Sequence, residues 1–92
     1  MTTIPQNTYD DTREVEKITK QLLSDYRFSS GFAAASVANY GKETLCKVLD
    51  AFKEKGWYCY YLRRFDGVWI ELQIYNYDYQ PDNDGLNKLI KY

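Results

Sequence analysis

The chain has no histidine. That removes the usual general acid or base near neutral pH and the commonest metal ligand. Zinc, haem and Ser-His-Asp chemistry are not expected on this ground. The two cysteines, Cys46 and Cys59, match no zinc or haem spacing and read as buried free thiols of a reducing compartment. With no histidine to activate it, Cys46 is not expected to be a nucleophile. No glycine-rich phosphate loop occurs. No cofactor and no enzymatic activity are expected.

Long apolar runs are missing too. Nothing approaches the roughly 20 residues of a spanning helix, so no membrane partner is expected. The stretch from Met1 to Tyr9 is polar, with neither a basic nor an apolar leader segment, so a secretory signal is not expected. Thr2 follows Met1, where myristoylation needs glycine. These readings point to a cytoplasmic protein, in a host's cytoplasm if the chain is viral. Charge of one sign is also lacking. Lys and Arg number 12 against 13 Asp and Glu, so no general pull on nucleic acid is expected.

Aromatic residues are abundant. There are ten Tyr, four Phe and two Trp in 92 residues, enough chain for one modest core. Residues 1–9 read as a flexible arm and 10–92 as a single α+β domain. A helix is expected from Asp10 or Asp11, where Asp11 and Glu14 have capping-box spacing. Val15, Ile18, Leu22 and Tyr26 form its apolar stripe, widened by Leu23. It should end at Ser29-Ser30-Gly31, with glycine in a left-handed cap. Phe32 to Tyr40 is alanine-rich, which favours helix, yet it is fenced by Gly31 and Gly41 to strand length, and an edge strand is preferred. Lys42 to Lys55 reads as a second helix, with Leu45, Val48, Leu49 and Phe52 on one face and Gly56 after its end.

A hairpin should follow. Trp57–Phe65 and Val68–Tyr77 flank Asp66-Gly67, which suits a two-residue type I′ turn. That turn pairs Phe65 with Val68, Arg63 with Ile70, Tyr61 with Leu72 and Cys59 with Ile74. Val68, Ile70, Leu72 and Ile74 then face the core beside Trp57, Cys59, Tyr61 and Phe65. A three-residue bulged turn would shift this register. Asp82-Asn83-Asp84-Gly85 fails as a calcium loop, because Gln80 and Lys91 occupy the first and last ligand positions; it reads as a turn. Leu86 to Tyr92 could form one or two helical turns that pack Leu86, Leu89 and Ile90 on the core.

The two-residue turn leaves Tyr58, Tyr60, Leu62 and Arg64 opposite Tyr75, Gln73, Glu71 and Trp69 on the other side of the sheet, with Arg64 and Trp69 set for a cation–π contact. Tyr, Trp and Arg are enriched at protein interfaces. The expected partner-binding residues are therefore Tyr58, Tyr60, Arg64, Trp69, Glu71, Gln73 and Tyr75. The bland alternatives are a helix covering this side, or the ordinary preference of Tyr and Trp for strands.

A helix, a short apolar run at Ser36-Val37, a second helix, then Gly56-Trp57-Tyr58-Cys59 and an alternating strand make up residues 13 to 75. This order resembles small accessory proteins encoded by tailed bacteriophages. The pattern is structural, so no functional residue carries over. The resemblance implies a protein that binds and inhibits or modulates a host protein, such as a defence factor, or a minor virion part. The expected function is a non-catalytic protein-binding module. A self-assembling subunit, and single-stranded nucleic-acid or nucleotide binding by the aromatic face, stand as alternatives. Separately pooled basic residues are lacking, which disfavours nucleic acid.

Overall fold

The computed structural model describes residues 11–26 and 31–92. The expected arm at 1–9 and the Ser29-Ser30 helix end lie outside the described residues. The elements are α1 (Thr12–Tyr26), β1 (Phe32–Ser36), α2 (Lys42–Glu54), β2 (Tyr58–Arg63), β3 (Trp69–Tyr75) and β4 (Lys88–Lys91). The strands form one antiparallel sheet in the order β1-β3-β2-β4. Among the described residues no helix is long and apolar enough to cross a membrane.

Both helices lie on one face of the sheet. Ile18 and Leu22 of α1 join Leu45, Val48, Leu49 and Phe52 of α2. They close on Ala33, Ala35, Val37, Cys59, Leu72 and Ile74 beneath them. Leu23 stays 44 % exposed, so the stripe on α1 is narrower than its spacing suggests. The alanine-rich run is the expected edge strand. Its small side chains let α1 sit close over β1, and burial under a helix overrides their helical preference.

Asp11 precedes α1, and its carbonyl accepts from the Val15 amide. Its carboxylate reaches across to α2 instead of closing a box with Glu14. Thr44 Oγ1 and Lys47 Nζ donate to it, each at 2.8 Å. The Lys47 ammonium, then the Thr44 hydroxyl, hold this carboxyl below its usual range. The contact pins the start of α1 to the first turns of α2.

The hairpin turn departs from the type I′ expectation. Gly67 N–H donates to Arg64 O, and Arg64 N–H to Val68 O. Gly67 has φ +91°, and no non-glycine residue among those described has positive φ. This is a type I turn over Phe65-Asp66 closed by a glycine bulge, the three-residue form. Asp66 favours it: its carboxylate accepts the Val68 amide and both Nε and Nη2 of Arg64. The three-residue loop shifts the register by one, and a bulge at Ile70 restores it. Arg63 thus faces Trp69, while Leu62 faces Glu71 and Tyr61 faces Leu72. The expected pairs Tyr61–Leu72 and Cys59–Ile74 are present; Arg63–Ile70 and Phe65–Val68 are not.

The tail is a strand rather than helical turns. Leu89 and Ile90 pair with Leu62 and Tyr61 of β2, and Leu86 stands in solvent. Tyr92 anchors this strand: its hydroxyl donates to Asp50 Oδ1 at 2.7 Å, and Lys53 Nζ lies over its ring.

Candidate functional site

The far side of the sheet is covered by the chain itself. Among the described residues no helix lies there. Residues 76–87, between β3 and β4, strap across it. Tyr79 stacks on Tyr75 with centroids 4.5 Å apart, and Tyr75 stacks on Phe32 at 5.2 Å. Tyr60 meets both Tyr75 and Tyr79 edge-on. Its hydroxyl donates to the Tyr79 carbonyl at 2.6 Å, and Tyr60 is 0 % exposed. Desolvation raises the hydroxyl pKa of Tyr60 and pushes that of Tyr75 up to about 12.

The seven expected partner-binding residues are therefore dispersed. Tyr60 and Tyr75 are the buried centre of a second, smaller core with Leu89. Gln73 and Glu71 remain half-buried on the same side, tied into a row: Tyr75 Oη donates to Gln73 Oε1 and Gln73 Nε2 to Glu71 Oε2, both at 2.6 Å. Tyr58 is exposed beside Lys91, whose ammonium lies over its ring. Trp69 is on the opposite, helix-bearing side, because the Ile70 bulge turns it inward. It stacks on Tyr61 at 3.7 Å and is 8 % exposed. The cation over Trp69 is Lys42, since Arg64 is engaged by Asp66. Val68 and Phe65, expected in the core, are exposed for the same reason.

What these shifts leave open is the end of the sheet that carries the β2–β3 turn. Phe65 is 82 % exposed and Leu86 80 %. Phe65 makes no ring contact among the described residues. The two are far apart in sequence, yet both end here. Lys88 pairs with Arg63, so Phe65 and Leu86 each lie two residues beyond the same last pair of the β2–β4 ladder. A cleft of about 200 Å³ opens between the turn and the start of α2, lined by Tyr40, Lys42, Leu45, Gly67, Val68 and Trp69. That is below the ~300–1,000 Å³ of small-molecule sites. It matches one apolar side chain better than a metabolite. Lys42, Arg63 and Arg64 ring this end with exposed cations.

Composition alone did not mark this end. Phe65 could have been found, since an aromatic at the tip of a three-residue turn has no sheet face to bury in. Leu86 required knowing that the tail is a strand.

Burial pushes the Cys59 thiol up to about 11, the reverse of an activated nucleophile. No three His, Cys, Asp or Glu among the described residues group as a metal site.

The chain matches no protein-family model, no curated protein and no solved structure.

Proposed function

We propose that this is a non-catalytic protein-binding module that docks through the turn end of its sheet. The observation that supports the reading is the pair Phe65 and Leu86, both about four-fifths exposed just beyond the last pair of the β2–β4 ladder, with a cleft beside the turn that carries Phe65. Single exposed apolar residues are ordinary. A large exposed aromatic next to a cleft, with Arg63 and Arg64 beside it, resembles an interface centre, where aromatic residues and Arg are enriched.

A protein suits this end better than a nucleic acid. Binding single strands needs ring faces free for bases. Here Trp69 lies under Lys42 and on Tyr61, and the rings of the other face stack on one another. The likeness to phage accessory proteins suggests the effect: binding that inhibits or modulates a host-cell protein.

The test compares capture from a lysate of the natural host by the wild type, by Phe65→Ser/Leu86→Ser, and by Tyr58→Ser/Tyr77→Ser. All four positions are exposed, so the fold should persist. One stoichiometric protein held by the wild type and the tyrosine variant, and lost by the Phe65/Leu86 variant, is expected. Equal retention by the Phe65/Leu86 variant refutes the turn end as the site.

A further inference from the structure

Among the described residues neither outer strand of the sheet, β1 or β4, has a further strand beside it, and unpaired edges invite pairing with another chain. At β4 the direction of each backbone group follows from the ladder. Tyr92 N–H donates to Cys59 O at 2.8 Å. Bonded pairs in an antiparallel ladder recur every second residue, so Tyr92, Ile90 and Lys88 direct their groups to β2. Leu89 and Lys91 direct theirs outward.

Leu89 is nevertheless satisfied on that outward side. Its N–H donates to Asn83 Oδ1 at 2.9 Å, and its carbonyl accepts from Asn83 Nδ2 at 2.9 Å. One residue of a neighbouring antiparallel strand would supply the same donor and the same acceptor. A carboxamide is the side chain that carries both in a planar pair. Asn83 thus sits in the place of another strand, held by the short loop that returns to β4. Lys88 Nζ fastens that loop by donating to the Asn83 carbonyl at 2.7 Å. The other edge has a simpler block. At β1 the Ala34 amide donates to Asp25 Oδ2 of α1 at 3.0 Å.

We infer that Asn83 is a strand mimic that closes the β4 edge against a second copy of this chain, and that the β4 edges of two copies pair when it is removed. The edge is self-complementary about Leu89. With Leu89 opposite Leu89 of the second copy, the two backbones exchange the two hydrogen bonds that Asn83 now supplies. Lys91 then falls opposite Asn87 of the second copy, so no like charges are opposed. The result is one antiparallel sheet continuous across a two-fold axis.

The experiment uses the full chain. Light scattering on Asn83→Ala across a wide concentration range should show a mass rising from monomer to dimer, while the wild type stays monomeric. Adding Lys91→Pro removes an outward N–H without touching the ladder to β2, and should return the variant to monomer. A folded Asn83→Ala protein that stays monomeric throughout overturns the inference, as does a dimer that survives Lys91→Pro. Amide exchange on the wild type gives a reading independent of any variant. The Leu89 amide should be protected at every concentration despite lying on a free edge. Exchange at the rate of an exposed amide overturns the latch.

Discussion

Tyr60 separates a self-covered sheet face from an open one. Its ring is fully buried between Tyr75 and Tyr79, and its hydroxyl donates to the Tyr79 carbonyl at 2.6 Å. Tyr60→Phe keeps the ring and removes that bond, leaving the Tyr79 carbonyl short of a partner. Such losses cost about 1–2 kcal/mol. Tyr60→Ala also removes the ring. At roughly 25 cal/mol per Å² over roughly 150–250 Å² the cost is about 4–6 kcal/mol, near the 3–5 kcal/mol typical of buried aromatic truncations. A chain of 92 residues has a total stability of about 5–14 kcal/mol. The alanine variant should therefore be near the limit of folding. The assay is urea unfolding followed by tryptophan fluorescence. With a slope of about 1–2 kcal/mol per M, Tyr60→Phe should lower the midpoint by about 1 M. Phe65→Ala, at an exposed turn position, should stay within about 0.5 kcal/mol of wild type. Should Tyr60→Phe unfold at the wild-type midpoint and Tyr60→Ala cost no more than Phe65→Ala, the strap of residues 76–87 is not seated on the sheet.

Three further outcomes are expected. Gly31 and Gly67 both have φ near +90°, but a Cβ at Gly31 would also lie 2.8 Å from Asn76 Oδ1, whereas at Gly67 it meets open space. Gly67→Ala should cost about 1–2 kcal/mol and Gly31→Ala clearly more, as thermal unfolding will show. At alkaline pH the neutral forms of Cys59 and Tyr75 are favoured by the fold, with values raised from 9.0 to about 11 and from 10.0 to about 12. Their contribution is whole below the unfolded values and is lost as pH rises through the folded ones, so the urea midpoint should fall between about pH 9 and 12. On the acid side the lowered value of Asp11 stabilises the fold above its unfolded value of 3.8, and that contribution disappears as pH falls through the folded value. Asp11→Asn should lower stability at neutral pH and flatten the loss below about pH 4, read from urea midpoints against pH.

The helices, the edge strand and the central hairpin pairs were legible because each rests on a local period. Ile18 and Leu22 recur on α1, Leu45, Val48, Leu49 and Phe52 on α2, and Leu72 and Ile74 alternate on β3. What failed rests on a single residue or on distant chain. Asp66-Gly67 is compatible with two turn lengths, and only the bonds from Asp66 to Val68 and Arg64 select the longer one. That one residue carried Trp69 to the helix side and Phe65 into solvent. The tail read as helical because Leu86, Leu89 and Ile90 have helical spacing. Pairing with β2 and the anchoring of Tyr92 on Asp50 make it a strand. The tyrosines of the far face were rightly placed on one side with Tyr58 opposite Tyr75 and Tyr60 opposite Gln73. Nothing in the alternation of β2 and β3 reveals that Tyr79, beyond the end of β3, folds back over them.

The turn end as docking surface is tested most directly by site-specific photo-cross-linking in the natural host. A photoreactive phenylalanine would be placed singly at positions 65, 86, 58 and 77, all exposed in the wild type. Positions 65 and 86 should cross-link to one and the same protein, with 58 and 77 silent. Cross-links from 58 and 77 with none from 65 or 86 would contradict the account and move the contact to the tyrosine-bearing end.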